Sequence, residues 1–497
     1  MKTAMNLLYI LLAACICGGT ACAQEFSPAR NQYVMEIVLD DAAHSLQISM
    51  DLSITNNSPD VWTEICLRDY MQPIQAEACL RTDEPLEFHS GILSAQQDGQ
   101  AVGFYADEAD PSIVYLVPGA PLKPGETATF TIGYAADIPQ GTFRCGYEWL
   151  EFASAGRCTY ELAQFYPMLC VYEDGAWQTG EYIFEGECFY TECADFRITL
   201  QLPEIYTVAA SGAEERIASE NGVSTWQIEA PNMRDVTIIA SSEYDVISGE
   251  VGGVTVNSYF CKHDPDGSHR RQGEIALQAA LDSVRIFEAA YGPYAYGELD
   301  VTESSYEYGG MEAPGLVRIS QMYSWFISDE DPEADRREYT QKLQGTVAHE
   351  VAHEWFYAMV GNDQFGEAWL DESFAAYSEQ LYWRGTGRDA AESETVISGF
   401  EEAVSAIGGT TVDHSVDELI SEYIYDYTSA VYKRGAAFLY RLEQAMGQDR
   451  FLDFMRNYFS AHLHGVAHTE DFIAILAPYI RENPDAQALV EKYISRC

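Results

Sequence analysis

Two histidines four residues apart, with an acid between them, are the strongest chemical signal in the sequence. His349, Glu350 and His353 lie within a helical pattern that covers residues 340–360. Residues four apart on a helix share a face, so both imidazoles can reach one metal ion. Neutral imidazole nitrogen suits zinc, which brings no redox chemistry. Glu350 lies about 100° around the helix, where a carboxylate can act as a general base towards metal-activated water.

A third ligand for such a metal lies further along the chain. A catalytic zinc takes three protein ligands and keeps one position for water. Glu372 follows His353 with 18 residues between them, at the start of a second helical pattern. We therefore predict one zinc ion per chain, held by His349, His353 and Glu372. A solvated surface helix is the weaker interpretation, because the apolar neighbours of the histidines describe a buried helix, which does not keep unpaired polar groups.

The elements that must position these residues differ between the two halves of the chain. From about residue 30 to 245, apolar and polar residues alternate, as in 46–54, which predicts half-buried antiparallel strands. After a short strand region, helical periodicity predicts helices at about 269–290, 340–360, 371–385, 391–406, 428–446, 449–461 and 470–478. We therefore predict a multidomain α+β protein, with an N-terminal all-β domain at 24–245 and a mainly helical catalytic domain at 246–497.

The segments around the histidines resemble the zinc aminopeptidases related to aminopeptidase N and leukotriene hydrolase, within the gluzincin group. The similarity rests on 349–356, 360–364 and 369–375, which follow one another with the spacing of the family. The resemblance covers about residues 30–497 and implies a saddle-like β domain packed on a thermolysin-like zinc metallopeptidase domain. It also leads us to expect that the family's large C-terminal helical domain is absent, which would leave the cleft open on one side.

The resemblance assigns a set of substrate-binding residues. Gly309, Gly310, Met311 and Glu312 are similar to the family's G-x-M-E-N motif, whose glutamate holds the free α-amino group of the substrate. An ammonium group in a partly dry site requires an anionic partner, so this role is chemically reasonable for Glu312. Ala313 stands where the family usually has asparagine, which bears on the fine positioning of the substrate.

Two further roles follow from the same resemblance. Residues 427–435 are similar to the family's Y-x-x-x-x-Y-x-K-G segment. This match implies that Tyr432 is the phenol that stabilises the developing oxyanion, with Tyr427 behind it. In the β half, Glu161 and Gln164 are candidates for the family's second amine-binding residue.

Residues 1–23 resemble an export signal. A positive residue precedes an apolar run, 7–16, which is too short to span a bilayer. Two processing sites remain open: release after Ala23, and a lipobox in which Cys15 would carry a lipid anchor. We expect an extracytoplasmic protein, secreted or lipid-anchored at the cell surface, with no transmembrane span in the mature chain.

Export would also permit disulfides among the cysteines that follow the signal. Their number is odd, which leaves at least one thiol free or paired between chains. These cysteines are Cys66, Cys79, Cys145, Cys158, Cys170, Cys188, Cys193, Cys261 and Cys497. Their pairing cannot be deduced from sequence, and a set of buried free thiols is an equal alternative to a disulfide framework.

The charge balance excludes several classes of partner. The 497 residues include 28 Lys and Arg against 78 Asp and Glu, a formal net charge of −50. A nucleic-acid binder needs a basic footprint, and adsorption to anionic lipid needs a polybasic face, so neither is expected. Hydrophobic residues make up 47%, so the chain is not a disordered acidic protein. The acidity favours cationic substrates, here peptides with Lys or Arg near the N terminus.

Together these signals predict a zinc-dependent aminopeptidase that hydrolyses N-terminal residues from peptides with a free N terminus. In this prediction Glu350 is the base, Glu312 binds the amine and Tyr432 stabilises the oxyanion. Two alternatives stay open: a zinc endopeptidase of the same fold, and a non-catalytic cell-surface binding protein that kept the fold. Nothing in the sequence specifically supports an epoxide hydrolase activity like that of leukotriene hydrolase.

Overall fold

The computed structural model describes residues 30–80, 87–141, 144–149, 158–184, 186–306, 308–407, 411–420 and 427–496. The predicted export signal, with its lipobox cysteine Cys15, lies outside these ranges, as does Cys497. None of the helices in these ranges combines the length and the apolar character that crossing a membrane requires.

The first half of the chain is built from strands, as the alternating pattern predicts. The strands are β1 (Gln32–Asp40), β2 (Ser45–Thr55), β3 (Ile65–Arg68), β4 (Ser90–Gln97), β5 (Gln100–Ala101), β6 (Gly103–Ala106), β7 (Ile113–Val117), β8 (Thr127–Asp137), β9 (Cys145–Trp149), β10 (Cys158–Leu162), β11 (Met168–Leu169), β12 (Tyr172–Glu173), β13 (Ala176–Trp177), β14 (Ala194–Pro203), β15 (Thr207–Ala210), β16 (Ala213–Glu220), β17 (Val223–Met233) and β18 (Ile238–Ser241). A helix, α1 (Met71–Leu80), follows β3 and was not predicted by the pattern.

The largest sheet of this half runs in the order β16-β17-β14-β1-β2-β8-β4-β5. All its neighbours are antiparallel except β1 and β14, which are parallel. Alternation along β2 buries every second side chain, from Leu46 to Ile54, at 3% exposure or less. Two four-stranded sheets, β15-β18-β10-β9 and β11-β3-β7-β6, complete the β half.

The second half combines one sheet with many helices. Its strands are β19 (Tyr244–Val251), β20 (Val254–Cys261), β21 (Glu298–Ser304), β22 (Gly310–Met311), β23 (Leu316–Ser320), β24 (Val360–Gly361) and β25 (Gly465–Val466). Its α-helices are α2 (Ser268–Tyr291), α3 (Glu333–Ala352), α4 (Trp369–Gly385), α5 (Ala390–Ile407), α6 (Val416–Ile420), α7 (Gly435–Met446), α8 (Gln448–His462), α9 (Thr469–Ile480) and α10 (Pro484–Tyr493). The predicted fold class, a β-rich N-terminal part followed by a mainly helical part, is confirmed.

The sheet of the second half has the order β19-β20-β21-β23-β22, and α2 and α3 pack on one another beside it. Its first strand begins at Tyr244, next to the domain boundary that the sequence places between 245 and 246. The boundary stays a prediction. Most predicted helices agree with the structure within a few residues. The periodicity did not predict the short α6 or the terminal α10.

The predicted helix at 340–360 is wrong at both ends. The observed helix α3 spans Glu333–Ala352, and His353 is its C-terminal cap residue. Beyond it the chain turns back, because the amide of Ala358 bonds to the carbonyl oxygen of His353 at 2.9 Å. Tyr357 has a φ of 136°, which a helix does not permit. The apolar spacing continues through this turn because the turn is buried, so the sequence pattern does not reveal where the helix ends.

Candidate metal centre and active site

His349, His353 and Glu372 bring three potential metal ligands to one point in a cleft. Nε2 of His349 lies 3.2 Å from Nε2 of His353 and 3.1 Å from Oε2 of Glu372. Nε2 of His353 lies 3.6 Å from the same carboxylate oxygen. Ligand atoms about 2.1 Å from a tetrahedral zinc ion are about 3.4 Å apart, so this triangle has the size that zinc requires.

The helices and their neighbours orient these ligands. His349 is in the last turn of α3 and His353 one turn later, while Glu372 lies in the first turn of α4. The other ring nitrogen of each histidine already has an acceptor: Nδ1 of His349 lies 3.0 Å from Glu379, and Nδ1 of His353 lies 3.1 Å from the carbonyl oxygen of Phe356. With Nδ1 as the donor, each Nε2 can offer its lone pair to a metal once a proton shared with Glu372 is released, so the residues fit zinc.

The third ligand is held in its charged form. Burial would raise the pKa of Glu372, but hydrogen bonds with the two histidines lower that pKa to about 2. A metal ligand of this type must be deprotonated, so the carboxylate is ready to bind zinc throughout the neutral pH range.

Glu350 lines the same cleft and is 5% exposed. Burial raises its pKa to about 7, against the opposing effect of the two histidines. A general base works best with a pKa near the operating pH, so this environment suits the predicted role. The backbone of β22 passes close by: a Cβ on Gly310 would lie 2.5 Å from Oε1 of Glu350, so any other residue here would displace the Glu350 carboxylate.

Tyr432 stands directly at the predicted metal centre. Its hydroxyl donates a hydrogen bond to Oε1 of Glu372, and its ring stacks on His349 with centroids 5.8 Å apart. It lies on a π-helical turn, Thr428–Arg434, a geometry that often occurs at functional sites. The ring of Tyr427 packs edge-on behind it, with centroids 6.0 Å apart. The structure thus brings both predicted tyrosines to the site.

The half-buried Glu312 belongs to a cluster of acids, with the buried Glu187 and Asp371, that share one amide. Nε2 of Gln364 lies 3.1 Å from Asp371 and 3.4 Å from Glu312, and it also donates to Glu187. Burial, together with neighbouring carboxylates, raises the pKa of both Glu187 and Glu312. Arg144 is close to Glu187, at 3.5 Å. A substrate ammonium group can supply the positive charge that this cluster lacks.

The cleft around these residues has a volume of about 760 Å³, and Gly309, Gly310 and Met311 line it together with Glu312. The residues that separate motifs predicted for the site therefore all line one cleft, as a common active site requires. Their individual roles stay predictions.

The two candidates for a second amine-binding residue lie elsewhere. Glu161 accepts a hydrogen bond from Ser304 and pairs with Arg318 at 3.3 Å. Gln164 donates to Asp235. Neither is among the described residues that line the cleft. Their buried partners hold both side chains within the protein interior, away from the site.

Sequence reasoning missed two acids that the structure places at the site. Glu187 lies beside Glu312, and no motif marks it in the sequence. Glu379 supports His349 and follows Glu372 by seven residues, which is two helical turns on the same face. That spacing is a signal from which Glu379 could have been identified.

The second half of the chain is similar in sequence to known proteins. Residues 275–493 match the model described as Peptidase family M1 domain. Aminopeptidase M1-D of Oryza sativa subsp. japonica is 26% identical over 294 residues, which cover 57% of this chain and 32% of that protein. Leucine aminopeptidase 2 of Emericella nidulans is 24% identical over 309 residues, covering 60% of this chain and 46% of that protein. The chain thus matches 32% to 46% of the length of these relatives.

A solved structure extends the likeness over both halves. The M1 zinc metallopeptidase from Deinococcus radiodurans superposes with a TM-score of 0.66 and 18% sequence identity, covering 94% of this chain and 95% of that one. At this identity the likeness establishes the two-part fold. The resemblance inferred from the motifs is therefore confirmed, and residues 275–493 are the part of the chain that matches a peptidase family M1 domain.

Proposed function

We propose that this chain is a zinc-dependent aminopeptidase that hydrolyses the first peptide bond of peptides with a free N terminus. The observation that carries the proposal is the convergence of two histidine Nε2 atoms and a Glu372 oxygen in one cleft with Glu350, Glu312 and Tyr432. Two similar curated proteins are named aminopeptidases, which supports the same activity for this chain.

The reacting groups have separate tasks in this proposal. A zinc ion held by His349, His353 and Glu372 would supply Lewis acidity for the scissile carbonyl and the attacking water. Glu350 takes the proton of that water and passes it to the leaving amine. Tyr432 turns its hydroxyl from Glu372 to the carbonyl oxygen as negative charge develops there.

The position of the amine anchor favours removal of single N-terminal residues. Carboxylate oxygens of Glu312 and Glu350 and a ring nitrogen of His353 lie within 4.8 Å of one another. A substrate ammonium group bound by Glu312 therefore lies about the length of one amino-acid residue from Glu350. Only the carbonyl of the first peptide bond then reaches the reacting position. An endopeptidase would need room for further substrate residues where these acids stand.

The expected zinc content, cellular location and substrate preference belong to the same proposal. We propose one zinc ion per chain, export through residues 1–23, and a secreted or lipid-anchored location. We also propose a preference for peptides with Lys or Arg near the N terminus. The net charge of −50 supports that preference. A kcat/KM for such peptides that does not change with salt would contradict it.

The central experiment compares each peptide with its N-acetylated form, with and without a zinc chelator. We expect cleavage of the free peptide only, full loss with chelator, and recovery when zinc is restored. Internal cuts in a long acetylated peptide would instead identify the endopeptidase alternative. A purified chain that binds no zinc and cleaves neither form would identify a non-catalytic protein.

A variant pair tests the assignment of the base. Glu350→Gln should keep its zinc and its fold but lose kcat by about 10³-fold or more, because the amide cannot accept the proton of water. Glu333→Gln is the matched control, since Glu333 is exposed in the first turn of the same helix. Substantial residual kcat in Glu350→Gln would contradict the assignment.

A further inference from the structure

Cys66 and Cys170 face each other across two neighbouring antiparallel segments in the β half. In β3 and β11, Arg68 is opposite Met168 and Leu67 is opposite Leu169. The register continues by one pair to the two cysteines, because the amide of Cys170 donates to the carbonyl oxygen of Cys66 at 3.0 Å. Their sulfur atoms lie 3.3 Å apart.

The surroundings of the two sulfurs are apolar. Cys66 is 0% exposed and Cys170 is 6% exposed, and both belong to a small cluster with Ile113, against which Tyr115 and Trp177 pack. The hydrogen bond with Cys66 and burial raise the pKa of the Cys170 thiol well above its usual value. A buried thiol of raised pKa reacts slowly, so any covalent chemistry at Cys170 belongs to the folding chain, before the sulfur is buried.

The pair differs from other cysteines that the structure describes. The thiols of Cys188, Cys193 and Cys261 each contact a backbone carbonyl oxygen, and Cys158 contacts the hydroxyl of Tyr206. Oxygen partners of this kind do not lead to a covalent bond. The contact between Cys66 and Cys170 instead joins two sulfur atoms.

We propose that Cys66 and Cys170 form a disulfide bond when the protein folds under oxidising conditions. Directly opposed, hydrogen-bonded residues of antiparallel strands have Cα atoms about 5.5 Å apart, within the usual disulfide range. Closing the bond therefore needs rotation of the side chains and no movement of the strands. The two thiols lose two protons and two electrons as the S–S bond forms. A small disulfide such as oxidised glutathione accepts them, and its own S–S bond breaks to give two thiols.

The bond would stabilise the wall of the proposed active site. It links residues 104 positions apart, and closing so long a loop restricts the unfolded chain strongly. Cys170 and Cys188 line a common cavity of about 250 Å³, and Glu187, which precedes Cys188, lines the catalytic cleft. We therefore expect the disulfide to act on stability, with little direct effect on kcat.

Peptide mapping tests the bond directly. The full chain is folded with oxidised glutathione, its free thiols are blocked with N-ethylmaleimide in denaturant, and the digest is analysed by mass spectrometry. We expect one linked peptide pair that contains Cys66 and Cys170 and is two hydrogens lighter than the sum of its parts. Blocking of both residues by N-ethylmaleimide, or a link from either one to a different cysteine, would overturn the proposal.

Thermal unfolding gives a second, independent readout. Reductant should lower the Tm of the oxidised wild type by a few degrees, up to about 5 °C. A double variant, Cys66→Ala with Cys170→Ala, should show no response to reductant, while Cys261→Ala should respond as the wild type does. A response that persists in the double variant would assign the stabilisation to another bond. If the double variant does not fold, the peptide map of the wild type decides the matter.

Discussion

The Nδ1 atom of His349 lies 3.0 Å from a carboxylate oxygen of Glu379. Glu379 follows Glu372 by two turns on α4, so one helix supplies both a predicted metal ligand and the group that orients another. The carboxylate fixes the proton on Nδ1 and directs the lone pair of Nε2 towards the metal position.

Removing this carboxylate should weaken zinc binding. We expect Glu379→Gln to raise the Kd for zinc by about 10–100-fold, because the histidine loses its charged partner while the ligands themselves remain. Competition with a chromophoric chelator measures the change. Glu402→Gln, at an exposed position on α5, is the control. An unchanged Kd in Glu379→Gln would show that this contact does not tune the metal centre.

The hydroxyl of Tyr432 should matter for kcat more than for binding. In Tyr432→Phe the ring can keep its stacking on His349, so zinc content should stay normal. Without the donor, kcat should fall by about 10²–10³-fold, while KM changes little. Tyr427→Phe should cost much less, because that phenol lies behind the site. Equal losses in the two variants would contradict the separate role of Tyr432.

Glu187 should strengthen the binding of the substrate amine. Glu187→Gln removes a carboxylate that can ionise when an ammonium group binds beside Glu312, and we expect KM for a free dipeptide amide to rise about 10-fold with a smaller change in kcat. Steady-state kinetics measure the two parameters separately. Glu338→Gln, which removes a charge at the exposed rim of the cleft, is the comparison. A larger loss in kcat than in KM would point to a role in the reaction itself.

A second group of acids should make stability depend on pH. Glu214 of β16 meets Glu298 and Asp300 of β21, and their carboxylate oxygens lie within 4.8 Å of one another. Burial raises the pKa of Glu214 to about 10, and it also raises the pKa of Asp300 and Glu298. An acid whose pKa is higher in the folded state contributes stability below its unfolded pKa. That stability is lost as the pH rises towards the folded pKa.

Neutralising one of these acids should therefore stabilise the protein in mild alkali. We expect Glu214→Gln to raise the free energy of unfolding by about 1–3 kcal/mol at about pH 8, and by less at about pH 5. Thermal unfolding across this range measures the difference. Glu215→Gln, at the exposed neighbouring position of the same strand, should have no comparable effect. A lower Tm for Glu214→Gln at about pH 8 would contradict the prediction.

Local patterns predicted most elements because burial on one face repeats with the period of the element. The alternation at 46–54 became β2, and the pattern at 371–385 became most of α4. The end of α3 was not predictable in this way. It depends on Tyr357 at φ 136°, and the backbone there is held by contacts such as the bond between the carbonyl oxygen of Tyr357 and Arg234, 123 positions away.

The sequence by itself predicted the metal ligands, because a spacing of four places His349 and His353 on one helix face and Glu372 lies near the start of the next helical pattern. The family's motifs added Glu312 and Tyr432. Only the tertiary structure shows that Glu187 contacts Gln364, which is 177 positions away, and that Glu161 pairs with Arg318. Periodicity and spacing act over a few turns of one element. Contacts between the β half and the helical half leave no such repeat in the sequence, so packing alone selects which buried acid faces the cleft.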